Sequence, residues 1–433
     1  MNENRTLRVA LLGAGSVGSQ VARLLLERAD TYEARVGARL ELVGIGVRNL
    51  DAPRDVDLPK DLLTSDIDAL VDGSDVVVEL MGGIDPARAL VLRALERGVD
   101  VVTANKALVA AHGPELRAAA SASGAMLLYE AAVGGAIPII RPLDASLAGD
   151  RVMRVMGIVN GTTNYILDKM HREGATLDEA LRVATELGYA EADPTADIEG
   201  FDAASKATIL ASLAFHTEVP VASVHREGIT GVTAETVAQA EKDDQVIKLL
   251  AICERVFADD GSESVNARVY PALVAKDHPL AAVHEAKNAI FIEAEAAGDL
   301  MFYGAGAGGV ETASAVLGDL VSLSRRRVAG GQALHPGVSA HLPVAPMSAV
   351  VTRYQVTIDV KDQPGVMARI AGKFGEHGVS MESLEQRISD EGIATLVVGT
   401  HQARESLVQT VLEQLRQHDD VVEVRSFIRA EAV

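Results

Sequence analysis

Short apolar runs alternate with amphipathic stretches through the first third of the chain. Residues 8–12 read as a buried strand, GAGSVG follows at 13–18, and apolar positions then recur at helical spacing through Leu26. Further strands are expected at 40–47, 76–80, 99–103 and around 126–129, with a helix over about 85–97. Continuous apolar strands that alternate with helices predict an α/β fold built on a Rossmann-type, doubly wound parallel sheet.

From Arg151 the pattern changes to strands interspersed with longer helices, as expected of an α+β region. A strand is expected at 152–159, and NGTTN at 160–164 opens a helix, its small polar residues suited to capping or to binding a small polar ligand. A strand-like stretch at 289–296 reaches GAGAGG at 304–309, a glycine-rich loop ahead of a helix that begins near Thr312 and ends at Arg325–Arg327. Residues 328–347 carry Gly330, Gly331, Pro336, Gly337, Pro343 and Pro346 with little periodicity and read as a linker. Beyond it, a strand at 354–360, DQPG at 362–365, a helix to about 377, strands at 379–388 and 394–400, a second helix and a last strand spell a βαββαβ unit. A separate, small ferredoxin-like domain is expected.

At 433 residues and 48% hydrophobic content the chain is long enough for two or three domains. A net charge of −21 argues against a nucleic-acid partner, and Arg325–Arg327 is the only basic run. The single cysteine, Cys253, excludes an intrachain disulfide and a cysteine-rich metal site, fits a reducing compartment, and reads as a small buried side chain in a helix. The start MNENRTLRVALLG has no signal-peptide pattern, and no apolar run approaches the roughly 18 residues of a membrane span. A soluble cytoplasmic protein is expected.

Between a strand and a helix, G-x-G-x-x-G has a mechanism. Gly13 makes the tight turn, Gly15 with Ser16 and Val17 brings main-chain amides to a pyrophosphate at the helix N-terminus, and Gly18 permits close helix packing. The second strand ends in Arg48 and Asn49, where an acidic residue would favour NAD; an arginine favours the 2′-phosphate of NADP, with Arg54 in support and Asp51, Asp55 and Asp57 weighing against. NADP is therefore preferred, with NAD as the alternative. MGG at 81–83 and TANK at 103–106 fall at the carboxyl ends of strands, which makes Lys106 a site candidate. Glu130, in a glycine-bearing turn near several carbonyls, suits either a hard cation or a plain connection.

The densest chemistry lies in LGYAEADPTADIEGFDAASK at 187–206. Glu191, Asp193, Asp197, Glu199 and Asp202 repel one another there, while Gly188, Pro194 and Gly200 break the chain into turns. Asp202 and Lys206 are four apart at the start of an apolar helix, so they share a face. They form either a lysine beside a carboxylate at an acidic pocket or an exposed pair worth about 0.2–0.5 kcal/mol.

With GY, DPTAD, Gly200, Asp202 and Lys206 in this spacing, and with GAGSVG, TANK, NGTTN and GAGAGG in this order, the chain resembles homoserine dehydrogenases that carry a C-terminal ACT domain. The resemblance implies reversible NAD(P)H-dependent reduction of L-aspartate 4-semialdehyde to L-homoserine. It makes Lys206 the proton donor, with Asp202 holding it and Lys106 between nicotinamide and substrate. Glu191 would bind the substrate ammonium, with Gly188, Tyr189, Asp197 and Thr162 also against the substrate. Gly306 and Gly308 join the cofactor site, and a monovalent cation, sodium by family habit, maps to Glu130, Val133, Gly135 and Ile137. The DQPG segment resembles an ACT ligand turn, so an amino-acid effector such as threonine is expected, as is a homodimer or homotetramer. The implied domains are 1–135 for the nucleotide, completed by a helix at about 310–328, 136–309 for substrate binding and dimerisation, a linker at 328–350 and an ACT domain at 351–433. Two other classes stay open on the residues alone. One is a regulatory amino-acid binder that keeps a nucleotide fold for structure, and the other is an oxidoreductase for a related aldehyde or alcohol.

Overall fold

A computed structural model describes residues 5–54, 56–331, 340–388 and 392–431. Its contacts gather the chain into two compact units. Met1–Val159, Ser205–Ala222 and Lys287–His341 form the first, and Asn160–Ala204, Ser223–Ala286 and Leu342–Val433 the second.

In the first unit six parallel strands lie in the order Leu63–Thr64, Arg39–Gly46, Thr6–Leu12, Val76–Glu79, Asp100–Thr103, Leu127–Leu128. That is the 3-2-1-4-5-6 order of a doubly wound dinucleotide fold, reversing between Thr6–Leu12 and Val76–Glu79. Alternation along the first strand covers both faces. Leu7, Val9 and Leu11 enter a core with residues of helices Ser16–Glu27 and Gly309–Val328, while Ala10 and Leu12 enter another with Ala87–Glu96 and Lys106–Ser123. The strand expected at 126–129 pairs only over Leu127–Leu128, because the chain turns into a tight helical turn at Glu130–Ala132.

Three antiparallel strands, Val152–Ile158, Lys287–Ala294 and Gly298–Ala305, belong to the same unit. The single strand expected at 289–296 is thus a hairpin. Gly298, at φ 70°, allows the turn, and Gly304 and Ala305 end its second strand, leaving Gly306–Gly308 as the loop before the helix at Gly309.

The second unit contains helices Gly161–Glu173, Leu177–Glu186 and Ala234–Lys242 and two 13-residue antiparallel strands, Gln245–Phe257 and Glu263–Ala275. Cys253 is buried as expected, but in the first of these strands, opposite Ala267, and not in a helix. An apolar run of this kind does not distinguish strand from buried helix; the cross-strand ladder decides.

The C-terminal residues form the expected βαββαβ unit: Val351–Lys361, Val366–Glu376, Met381–Ile388, Ile393–Thr400, Glu405–Arg416 and Val421–Glu431. Its strands lie in the order fourth, first, third, second. The last strand also pairs in parallel with Glu263–Ala275, from Ala272 opposite Arg429 to Val274 opposite Glu431. One sheet therefore runs on through the second unit. At the seam the fully buried Arg268 donates to Glu254 at 2.6 Å, Tyr270 at 2.8 Å and Glu431 at 3.3 Å, the multiple pairing a buried cation needs. Within the expected linker, Pro336 and Gly337 lie outside the described residues, as does Asp55 near the second strand.

Candidate active site

The glycine motif of the first unit makes a ligand-sized opening at the switch point of the sheet. Gly13 has φ 100°, and a Cβ there would lie 2.6 Å from the Leu80 carbonyl oxygen. A Cβ on Gly18 would collide with the Gly13 carbonyl, so helix and strand touch there. Gly15 differs: nothing lies within 4 Å of its Cβ position. It precedes helix Ser16–Glu27, whose first turn has no acidic residue and whose start has no side-chain cap. Open space against uncapped amides is the setting for a pyrophosphate. The second glycine loop approaches the same helix, for a Cβ on Gly309 would lie 3.0 Å from the Ser16 carbonyl oxygen, while Gly308 sits at φ 136°. These residues fit a dinucleotide.

Arg48 is exposed past the end of Arg39–Gly46. Arg54 donates to the carbonyls of Asn49 at 2.8 Å, Leu50 at 3.1 Å and Ala52 at 2.9 Å. Its guanidinium thereby braces the loop that follows Arg48.

At the next strand ends, the buried Glu79 accepts from the Met81 amide at 2.8 Å and the Thr103 hydroxyl at 2.6 Å. Asn105 caps the helix at the Leu108 amide, 3.1 Å, and donates to the Gly83 carbonyl at 2.6 Å. MGG and TANK are thereby tied together, and Lys106 emerges exposed on the first helical residue.

The carboxylate of Glu130 is buried and accepts from the amides of Ile139 (2.6 Å), Ile140 (2.8 Å) and Arg141 (3.0 Å) and from the Arg141 guanidinium (2.9 Å). Its main-chain amide donates to Asp319 at 2.7 Å. Burial pushes the Asp319 carboxyl up to about 7, with the Glu130 charge adding to the effect. Glu130 thus offers a cation no carboxylate. The donors left in this turn are main-chain carbonyls, including those of Val133, Gly135 and Ile137, with Gly134 and Gly135 at φ 74° and 56°. Among the described residues no group of three His, Cys, Asp or Glu is placed to hold a metal.

In the second unit the repelling carboxylates find separate partners. Asp193 accepts from the Thr195 amide at 3.1 Å, and Glu199 lies 3.8 Å from Arg226. Asn160 gathers two others: its amide nitrogen donates to Asp197 at 2.7 Å and Asp202 at 2.9 Å, while its carbonyl oxygen caps the Thr163 amide at 2.9 Å. Thr162 donates to the Tyr189 carbonyl at 2.6 Å, and the Tyr189 ring lies 5.0 Å from that of Tyr165. Gly188 supplies the turn before it at φ 78°. Glu191 is exposed, whereas Asp202 is 7% exposed. Asn160 fills the capping role expected of NGTTN, while its hold on Asp197 and Asp202 is what sequence reasoning missed.

Asp202 and Lys206 share helix Phe201–Ala214, which belongs to the second unit through Ala204 and to the first from Ser205. Lys206 is 8% exposed, and its ammonium donates to the Val159 carbonyl at 2.6 Å within the first unit. The exposed-pair reading of these two residues is thereby set aside.

A glycine cradle at the switch point of a doubly wound sheet, with a buried lysine in the same unit, is the arrangement of a nicotinamide-dependent oxidoreductase. Residues 13–130 match the family model for the homoserine dehydrogenase NAD binding domain, 138–321 that for homoserine dehydrogenase, and 354–420 that for the ACT domain. The chain is 52% identical to a homoserine dehydrogenase of Mycobacterium tuberculosis, over 99% of this chain and 98% of the relative. A homoserine dehydrogenase structure from Thiobacillus denitrificans superposes with a TM-score of 0.91 at 38% identity, covering 99% of each chain. A hyperthermophilic archaeal homoserine dehydrogenase in complex with NADPH matches at TM-score 0.60 and 28% identity, over 74% of this chain and 98% of that one. The chain belongs to the homoserine dehydrogenase family.

Proposed function

We propose that the chain interconverts L-aspartate 4-semialdehyde and L-homoserine with NADP(H) in preference to NAD(H), in the cytoplasm. The observation that carries this reading is the pairing of an open glycine cradle with a buried lysine one helical turn from a buried aspartate. When bound, the cofactor supplies hydride to the aldehyde carbon. The protein then has to deliver a proton to the carbonyl oxygen, hold the substrate ammonium and keep bulk water away.

Lys206 donates that proton. Its ammonium is held in place by the Val159 carbonyl. Lys106, on the first residue of its helix, sits between nicotinamide and substrate and shares the proton transfer. Glu191, Asp197 and Asp202 meet the substrate ammonium, and Gly188, Tyr189 and Thr162 shape the segment that presents them. Arg48 favours the 2′-phosphate on charge and position. A monovalent cation, sodium by preference, fits the turn at Glu130, Val133, Gly135 and Ile137 through carbonyl oxygens alone. The functional division is a nucleotide domain at 1–135 completed by a helix at about 310–328, a substrate and dimerisation domain at 136–309, a linker at 328–350 and an ACT domain at 351–433, in a homodimer or homotetramer.

The test is the absorbance change at the nicotinamide band when the protein meets L-homoserine with NADP or NAD, with sodium or potassium present. Homoserine-dependent reduction is expected, faster with NADP. Silence with both cofactors despite measurable cofactor binding would favour an altered substrate or a purely regulatory protein. Threonine is expected to inhibit through the C-terminal unit; unchanged activity and unchanged melting at millimolar threonine would sink that part.

A further inference from the structure

Between the last strand of the chain and the carboxylates gathered by Asn160 lies one short stretch, residues 225–230, and all three belong to the second unit. Strand His225–Arg226 pairs in parallel with Glu263–Ala275, His225 opposite Arg268 and Arg226 opposite Val269, and the Glu227 amide extends the ladder to the Val269 carbonyl at 2.8 Å. The same stretch also lies on residues 198–201. The Ile229 amide donates to the Ile198 carbonyl at 2.7 Å, and Thr230 donates to the Glu199 carboxylate at 3.3 Å. The Arg226 guanidinium donates to the Glu199 carbonyl and stands 3.5 Å from the centre of the Phe201 ring. Gly228 is the point of closest approach: a Cβ there would collide with the Ile198 carbonyl oxygen and lie 2.6 Å from the Glu199 Cα. Asp197 and Asp202 bracket the residues so held.

Glu227 ties this stretch to the last strand. Its carboxylate pairs with the His225 ring at 2.7 Å and accepts from the Arg429 Nη1 at 3.0 Å. Arg429 is 2% exposed, and its Nε and Nη2 donate to the two oxygens of the buried Glu405 at 2.9 Å and 2.7 Å. The guanidinium also lies 4.5 Å from the centre of the Tyr270 ring. With all three nitrogens of a buried guanidinium paired, Glu227 cannot move away without leaving charge unpaired, so its carboxylate is held in place. From Glu227 the main chain passes through Gly228 directly onto Ile198 and Glu199, and close-packed contacts of this kind transmit a displacement. We infer that residues 225–230 position the substrate carboxylates, and that Arg429, acting through Glu227, is a positioning residue for homoserine binding. The inference rests on the substrate reading of Asp197 and Asp202 above and requires no ligand on the C-terminal fold.

Steady-state homoserine oxidation by the full-length protein tests this, with NADP titration and melting measured alongside. Arg429→Met removes the charge and keeps the stem, while Glu227→Gln keeps the shape of the carboxylate and disturbs folding least. Both should raise the KM for homoserine roughly 2- to 30-fold, with NADP affinity kept and kcat nearly unchanged. The double variant should raise it no further than the larger single change, because the two side chains act as one pair. Arg429→Lys should fall between the wild type and Arg429→Met. Glu431→Gln is the control: it weakens the neighbouring contacts to Arg268 and Tyr270 at the same seam, so melting should fall while the KM for homoserine stays. A KM unchanged in both Arg429→Met and Glu227→Gln overturns the inference. An equal rise in Glu431→Gln also overturns it, since the effect would then be a general loosening of the sheet. If the wild type oxidises no homoserine, the substrate reading falls and this inference falls with it.

Discussion

Around Gly13–Gly18 the first unit offers a ligand main-chain amides and empty space, whereas around Asn160 the second offers carboxylates gathered by one side-chain amide. The first arrangement is written into the backbone and breaks only where a side chain is added at a glycine. The second depends on a single polar group and breaks when that group is removed. The first arrangement should therefore fail through cofactor affinity and the second through substrate affinity.

The largest expected effect lies at the buried lysine of the first unit. Lys206→Ala should lower turnover roughly 10²–10⁴-fold with cofactor binding intact, as loss of a general acid does. Steady-state rates and cofactor titration check this, and near-normal turnover would transfer the proton to Lys106 or water.

Asp319 tests the buried carboxylates of the first unit against those of the second. Its folded-state pKa of about 7 lies above the ordinary carboxylate value, so the native protein holds a proton there that the unfolded chain has released. The stability this provides is present below about pH 4 and is lost as pH rises through about 7. Asp319→Asn should flatten the fall in melting temperature between pH 5 and pH 8; an unchanged slope assigns it to other groups.

Gly18→Ala puts a methyl group against the Gly13 carbonyl, an overpacking that should cost about 1–3 kcal/mol. Melting and NADPH affinity should fall together, with the KM for homoserine little changed. Asn160→Ala should show the opposite profile. Losing hydrogen bonds to two carboxylates costs about 1.5–3 kcal/mol, read as a KM for homoserine raised on the order of tenfold or more with cofactor affinity kept. Parallel loss of both affinities in either variant would erase the distinction drawn here.

The smallest effect concerns cofactor choice. Arg48→Ala should raise the KM for NADPH about tenfold more than that for NADH, the value of one charge-assisted contact. An equal change in both would remove the reason for preferring NADP.

Much of this was readable in the order of residues. GAGSVG between an apolar strand and an amphipathic helix specifies its own turn, since only glycine tolerates the φ at Gly13 and the contact at Gly18. The βαββαβ unit was equally legible, because its strands alternate and its helices are amphipathic. Less legible were the strands Gln245–Phe257 and Glu263–Ala275, which bury apolar runs without a period to mark them. The Asp202 and Lys206 spacing was visible too, but their recorded partners, Asn160 and the Val159 carbonyl, come from chain more than forty residues earlier.

The sequence by itself determined the local geometry: glycine turns, capped helix starts, alternating strands and a helix that carries an aspartate and a lysine one turn apart. These follow from steric limits on φ and from side-chain period, which act over a few residues. Only the tertiary structure decided which groups meet. It turned the Glu130 carboxylate onto amides, tied Arg54 to its own loop, and ran the C-terminal sheet into the strand at Glu263–Ala275. Such pairings depend on the burial of polar groups that must find partners once water is excluded, and those partners are supplied by chain distant in sequence.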